Sequence, residues 1–98
     1  MTVYCNIFER KGEVMMAACD KGLLGKTFEE GKMILDVKES FYAGDEVESE
    51  VLREKFDQIT IANLVGEETV KTALEEGFGY EENVLTVEDI PHLQIVRM

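Results

Sequence analysis

One histidine, two cysteines and ten basic residues are all that this chain of 98 residues offers to several common chemistries. With His92 alone, no histidine dyad and no multi-histidine metal site can form within one chain. Cys5 and Cys19 lie far apart and lack Cys-x-x-Cys spacing, so a metal set built from Cys5, Cys19 and His92 has no support in the pattern. They read instead as buried free thiols acting as small hydrophobes. The basic residues face 21 acids, for a net charge of −11. A field of that sign repels phosphates and excludes a broad nucleic-acid or anionic-membrane surface. Arg10-Lys11, Lys21 and Lys26 are the only clustered cations. No apolar run approaches the ~20 residues of a membrane-spanning helix. The N-terminus enters strand-like residues with no basic leader, so the expectation is a cytoplasmic protein without a signal peptide.

What is present is a foldable core. The 45% hydrophobic residues are spread evenly, which argues for one domain over residues 1–98 and against disorder. Val3 to Phe8 and Val14 to Cys19 read as two strands around a polar turn containing Gly12. The second does not alternate, so it should lie centrally and be covered on both faces, by helix or by a partner subunit; a homodimer is one way to supply that cover. Lys32 to Lys38 alternates as a third strand, and Asp45 is a candidate cap for a helix over Glu48 to Gln58. That helix places Val47, Val51, Leu52, Phe56 and Ile59 on its apolar face. Ile59 to Gly66 carries no charge and is expected to cross the interior between two helices. Gly66 then caps a second helix, with Glu67 and Glu68 in its first turn and Gly77 as its left-handed stop. Val84 to Val87 and His92 to Arg97 complete the set. The order βββααββ predicts an α+β fold: a mixed, largely antiparallel five-stranded sheet with two helices on one face.

Motifs that carry chemistry are weak. Gly22-Leu-Leu-Gly-Lys-Thr27 ends like a phosphate-binding loop, but Asp20 stands where its first glycine belongs and no helix follows. Its Gly-x-x-Gly also echoes an RNA-clamping loop, yet its inner residues are two leucines, and a tight structural loop is the better reading. The acids show no diagnostic spacing and read as solvated helix faces. Asn63 is a polar side chain within an apolar stretch, either a structural cap or a group shown to a ligand. Phe41-Tyr42 beside Gly44 is the best candidate for an exposed aromatic contact.

Leu24-Gly-Lys-Thr-Phe-Glu-Glu-Gly31, Phe41-Tyr-Ala-Gly44, Thr60-Ile-Ala-Asn-Leu-Val-Gly66 and Pro91-His-Leu-Gln-Ile-Val-Arg-Met98 together resemble an archaeal family of small proteins known only as a domain of unknown function. The resemblance implies an archaeal cytoplasmic protein and transfers no catalytic residue; a link with RNA–protein assemblies of translation is one implication. No catalytic constellation and no cofactor site is legible. The expectation is therefore a non-catalytic interaction or adaptor domain with a protein or ribonucleoprotein partner, with Asp20, Lys26, Phe41, Tyr42, Asn63 and His92 as contact candidates. The alternative is a small-ligand binder or unrecognised enzyme with a pocket near Asp20, Lys26, Asn63 and His92, which requires those four side chains to converge.

Overall fold

The computed structural model describes residues 2–97. Its strands are β1 (Thr2–Arg10), β2 (Glu13–Asp20), β3 (Thr27–Glu30), β4 (Met33–Asp36), β5 (Asp45–Glu48), β6 (Ile61–Val65), β7 (Leu85–Val87) and β8 (Ile90–Val96). Its helices are α1 (Glu39–Tyr42), α2 (Ser49–Lys55) and α3 (Glu67–Glu75). The main sheet has six strands in the order β5-β1-β2-β6-β8-β7, and β3-β4 form a separate two-stranded ribbon. The fold is thus α+β with a largely antiparallel sheet, but it departs from the expected five strands and two helices.

Three departures have clear causes. Ile59 to Gly66 does run through the interior between α2 and α3, but as a strand of the sheet: Ile61–Val65 pairs in parallel with β2 on one side and antiparallel with β8 on the other. Ile61 and Val65 put apolar side chains on the second face as well as the first, which hides the period-two signal although Ile61 and Asn63 are only partly buried. Residues 32–38 do not join the main sheet; Met33–Asp36 pairs with Thr27–Glu30, and the ribbon packs beside β7 with Leu35 in the second core. Asp45 does not cap a helix but opens the short acidic edge strand β5, paired with β1. The first hairpin is as expected, closed by Lys11 (φ 52°) and Gly12 (φ 84°), the two left-handed positions of a tight type I′ turn.

Alternation divides the strands between two cores. On one face, Val3, Cys5, Met16, Ala18, Leu64 and Leu93 meet Leu52 of α2, Phe56 and Ile59 just beyond it, and Val70 and Ala73 of α3. Val51, expected on the apolar face of α2, is exposed. On the other face, Ala17, Cys19, Val65 and Val87 meet Leu35 and Val37 from the ribbon side and Tyr42 of α1. Met16, Ala17, Ala18 and Cys19 are accordingly buried in succession. The cover expected over β2 comes from its own chain at residues 16–19, while Met15 stays only partly covered.

Gly66 opens α3 at φ 108°, a conformation that disfavours any side chain. A β-carbon there would also overlap the carboxylate of Asp20, which sits against the glycine. The space left by hydrogen is what lets the end of β2 reach the start of α3.

Candidate functional site

Asp20 is a capping residue by geometry. Its Oδ2 accepts from the Glu68 backbone N–H at 3.1 Å, and its Oδ1 accepts from the Thr69 N–H and hydroxyl, both at 2.8 Å. Gly66 lacks a side chain with which to cap α3, so a carboxylate from a neighbouring strand supplies the acceptor and favours the helix dipole. Asp20 pairs with Val3 and points to the helix face of the sheet.

Asn63 and His92 point to the opposite face. Asn63 shares its side of β6 with Val65, and His92 lies opposite Val65 on β8. Lys26 is exposed on the loop leading into β3, with its backbone carbonyl accepting from Val37 N–H at 2.9 Å. Asp20, Lys26, Asn63 and His92 therefore do not converge, and the pocket they were expected to form is absent from the described residues. The Gly22–Gly25 loop is pinned as its leucines suggested: Leu23 and Leu24 pack onto the second core, and Gly25 N–H donates to Val37 O at 2.7 Å.

The aromatic pair divides. Tyr42 is buried, and burial pushes its hydroxyl up to about 12. It therefore contributes core, not contact surface. Phe41 is half-buried and stands edge-on to Phe8, with centroids 5.7 Å apart. Its carbonyl accepts a hydrogen bond from Asn6 Nδ2 at 2.9 Å.

Register shows where the second face stays open. Tyr4, Cys19, Val65 and His92 form a row across β1, β2, β6 and β8, and its central members are buried beneath the ribbon side and α1. The next row is polar at three of four positions: Asn6, Ala17, Asn63 and Gln94. Gln94 Nε2 donates to Asn63 Oδ1 at 2.8 Å, and the Asn63 amide nitrogen has no partner among the described residues. The third row is Phe8, Met15, Ile61 and Val96. These four apolar side chains are exposed or only partly covered, with Val96 66% exposed. A depression of about 420 Å³ opens at the Phe8 end, bordered by Asn6, Arg10, Met15, Ser40 and Phe41.

Sequence reasoning found Asn63 and Phe41 on this surface but missed Phe8, Met15, Ile61 and Val96. Each looks like an ordinary strand hydrophobe, and the open row appears only once the strands are in register. His92 is half-buried above it, its Nε2 buried and unpartnered among the described residues, and burial lowers its basicity. No group of three or more His, Cys, Asp or Glu among the described residues could hold a metal ion.

No curated protein matches the chain. Among solved structures, an uncharacterized conserved protein from Methanopyrus kandleri has the same fold, with a TM-score of 0.80 at 25% sequence identity. The likeness covers 100% of this chain and 95% of that one. The resemblance first read from four short stretches is matched at the level of a family: residues 8–98 fit the family described as protein of unknown function DUF424, and the chain belongs to it.

Proposed function

We propose that this protein is a non-catalytic interaction module that receives a protein partner on the open half of its second sheet face. The observation that carries this reading is the incompletely covered row Phe8, Met15, Ile61 and Val96, bordered by Arg10 and the edge of Phe41. Aromatic residues, methionine and arginine are the types enriched at protein interfaces, and the polar row above would fix the orientation of what binds. Asn63 contributes here through amide donors that have no partner among the described residues. The charge of −11 favours a partner with basic surface, such as a protein component of an RNA–protein assembly, over RNA itself.

The test is affinity capture from native extract with the wild-type chain and with Met15→Glu and Val96→Glu, each first shown to keep the wild-type circular dichroism. A stoichiometric partner held by the wild type and lost by both variants is the expected result. Repeated capture of no stoichiometric partner, or equal capture by all three chains, would refute the reading.

A further inference from the structure

β8 has a second interaction surface, carried by its main chain. Gly66 N–H donates to Pro91 O at 2.9 Å and Arg97 N–H to Thr60 O at 2.7 Å, so the odd-numbered residues of β8 turn their peptide groups toward β6. The even-numbered ones turn outward. There β7 pairs only with residues 90–92. Gln94 and Val96 thus direct their N–H and C=O groups past the end of β7, with no backbone partner among the described residues.

The chain preceding β7 leaves this line as a tight turn at Glu81–Asn83. A groove of about 330 Å³ remains, walled by Phe78, Gly79, Tyr80 and Asn83 and floored by residues 93–97. Gly79 (φ 110°) keeps the wall close, since a β-carbon there would stand 3.0 Å from Ile95 Cδ1. Tyr80 is 68% exposed at the rim. The other edge of the sheet differs: β5 reads Asp-Glu-Val-Glu and is guarded against pairing by charge. Leu93 to Val96 carries no charge at all.

We propose that the outer edge of β8 accepts a basic, extended segment of a partner protein as an added strand in line with β7. The open peptide groups of Gln94 and Val96 supply the hydrogen bonds, and Tyr80 covers an incoming side chain. Charge selects the occupant. Glu81 and Glu82 stand in the turn between Tyr80 and Asn83 of the wall, and Arg97, the cation that lines the groove, is engaged over the Phe78 ring at 5.0 Å. A second copy of the chain would bring another −11 to the contact and is disfavoured. This surface is distinct from the open row, which is built of side chains, although both meet at Val96.

The probe is a blocked hexapeptide of alternating lysine and valine, titrated into the isotopically labelled full chain and followed by amide exchange. Saturation should slow exchange at Gln94 and Val96 by about tenfold or more, and the same peptide N-methylated at alternate residues should lose that protection. A glutamate–valine counterpart should bind at least ~10-fold more weakly. Equal binding of the N-methylated peptide, shifts confined to Phe8, Met15 and Ile61, or no shift at millimolar peptide would each overturn the proposal. So would protection of Gln94 and Val96 by self-association in sedimentation, because the occupant would then be a second copy. Capture of a partner through the open row is read separately with Met15→Glu, so either surface can fail alone.

Discussion

Asp20 and Thr69 are joined by two hydrogen bonds: Oδ1 of the aspartate accepts from the threonine backbone N–H and from its hydroxyl, each at 2.8 Å. Thr69 is fully buried, so its hydroxyl has no water to fall back on. Asp20→Ala should lower stability by about 2 kcal/mol, the combined effect of a lost cap and a stranded buried hydroxyl. Urea denaturation checks this through a reduced midpoint at unchanged slope.

Gly66→Ala attacks the same junction from the other side. It imposes a side chain at φ 108° and drives a methyl into the Asp20 carboxylate, so the cost should be at least ~2 kcal/mol. In the Asp20→Ala background the overlap disappears and only the backbone cost remains. The double variant should therefore lose less than the sum of the single ones, and additive losses in the denaturation cycle would count against the close approach.

This junction marks how far the sequence could be followed. The helix from Glu67 was legible because Gly66, two glutamates and Gly77 are local signals, and Gly77 indeed takes φ 72°. Its cap was not, because the acceptor lies 49 positions away from Thr69 on another strand. Strands β1, β2 and β8 were legible as hairpin and terminal runs. β6 was not, since apolar residues on both its faces erase the alternation in sequence, and β5 was not, since three acids in four residues look like a helix start. Asn63 was singled out for being polar among apolar neighbours, and its position beside Gln94 depends on a register that no local pattern reveals.

Arg53 joins the two longer helices. Its guanidinium lies 3.0 Å from Glu75 at the end of α3 and 3.1 Å from Glu76 just beyond it, and 3.7 Å from Glu50 on its own helix. In a chain of net charge −11, this cation relieves repulsion among three carboxylates. Salt should stabilise the wild type by screening that repulsion, and Arg53→Ala should gain more from salt than the wild type does. Thermal melts at about 0.05 M and about 1 M NaCl test this, with a gap between the two chains that narrows at high salt. A gap independent of salt would assign Arg53 a packing role.

The cysteines should be silent toward thiol reagents in the folded protein. Burial pushes the Cys5 thiol up to about 11 and the Cys19 thiol to about 12, which leaves almost no thiolate near neutral pH. They also face opposite sides of the sheet, Cys5 in the helix-side core and Cys19 under the ribbon side. An Ellman titration should find close to no reactive thiol in buffer and both thiols in urea, with no intramolecular disulfide after mild oxidation of the native chain. Rapid native labelling of Cys19 would mean that the ribbon and α1 open readily.

His92 gives the fold a dependence on pH whose sign follows from its burial. Its Nε2 is buried without a partner among the described residues, and burial holds the imidazole below its ordinary value of 6.5. As pH falls through about 6.5, the unfolded chain takes up the proton before the folded one does, which draws the equilibrium toward unfolding. The stability associated with neutral His92 is therefore present above that value and is lost as pH drops toward the lower folded-state pKa. Because carboxylates also titrate in acid, the measurement is a difference. The urea midpoint of His92→Gln relative to wild type should rise between about pH 7.5 and about pH 5, the acids being common to both chains. An imidazole resonance that titrates at or above 6.5, or a difference that does not change with pH, would show that the ring is solvated and that His92 carries no such linkage.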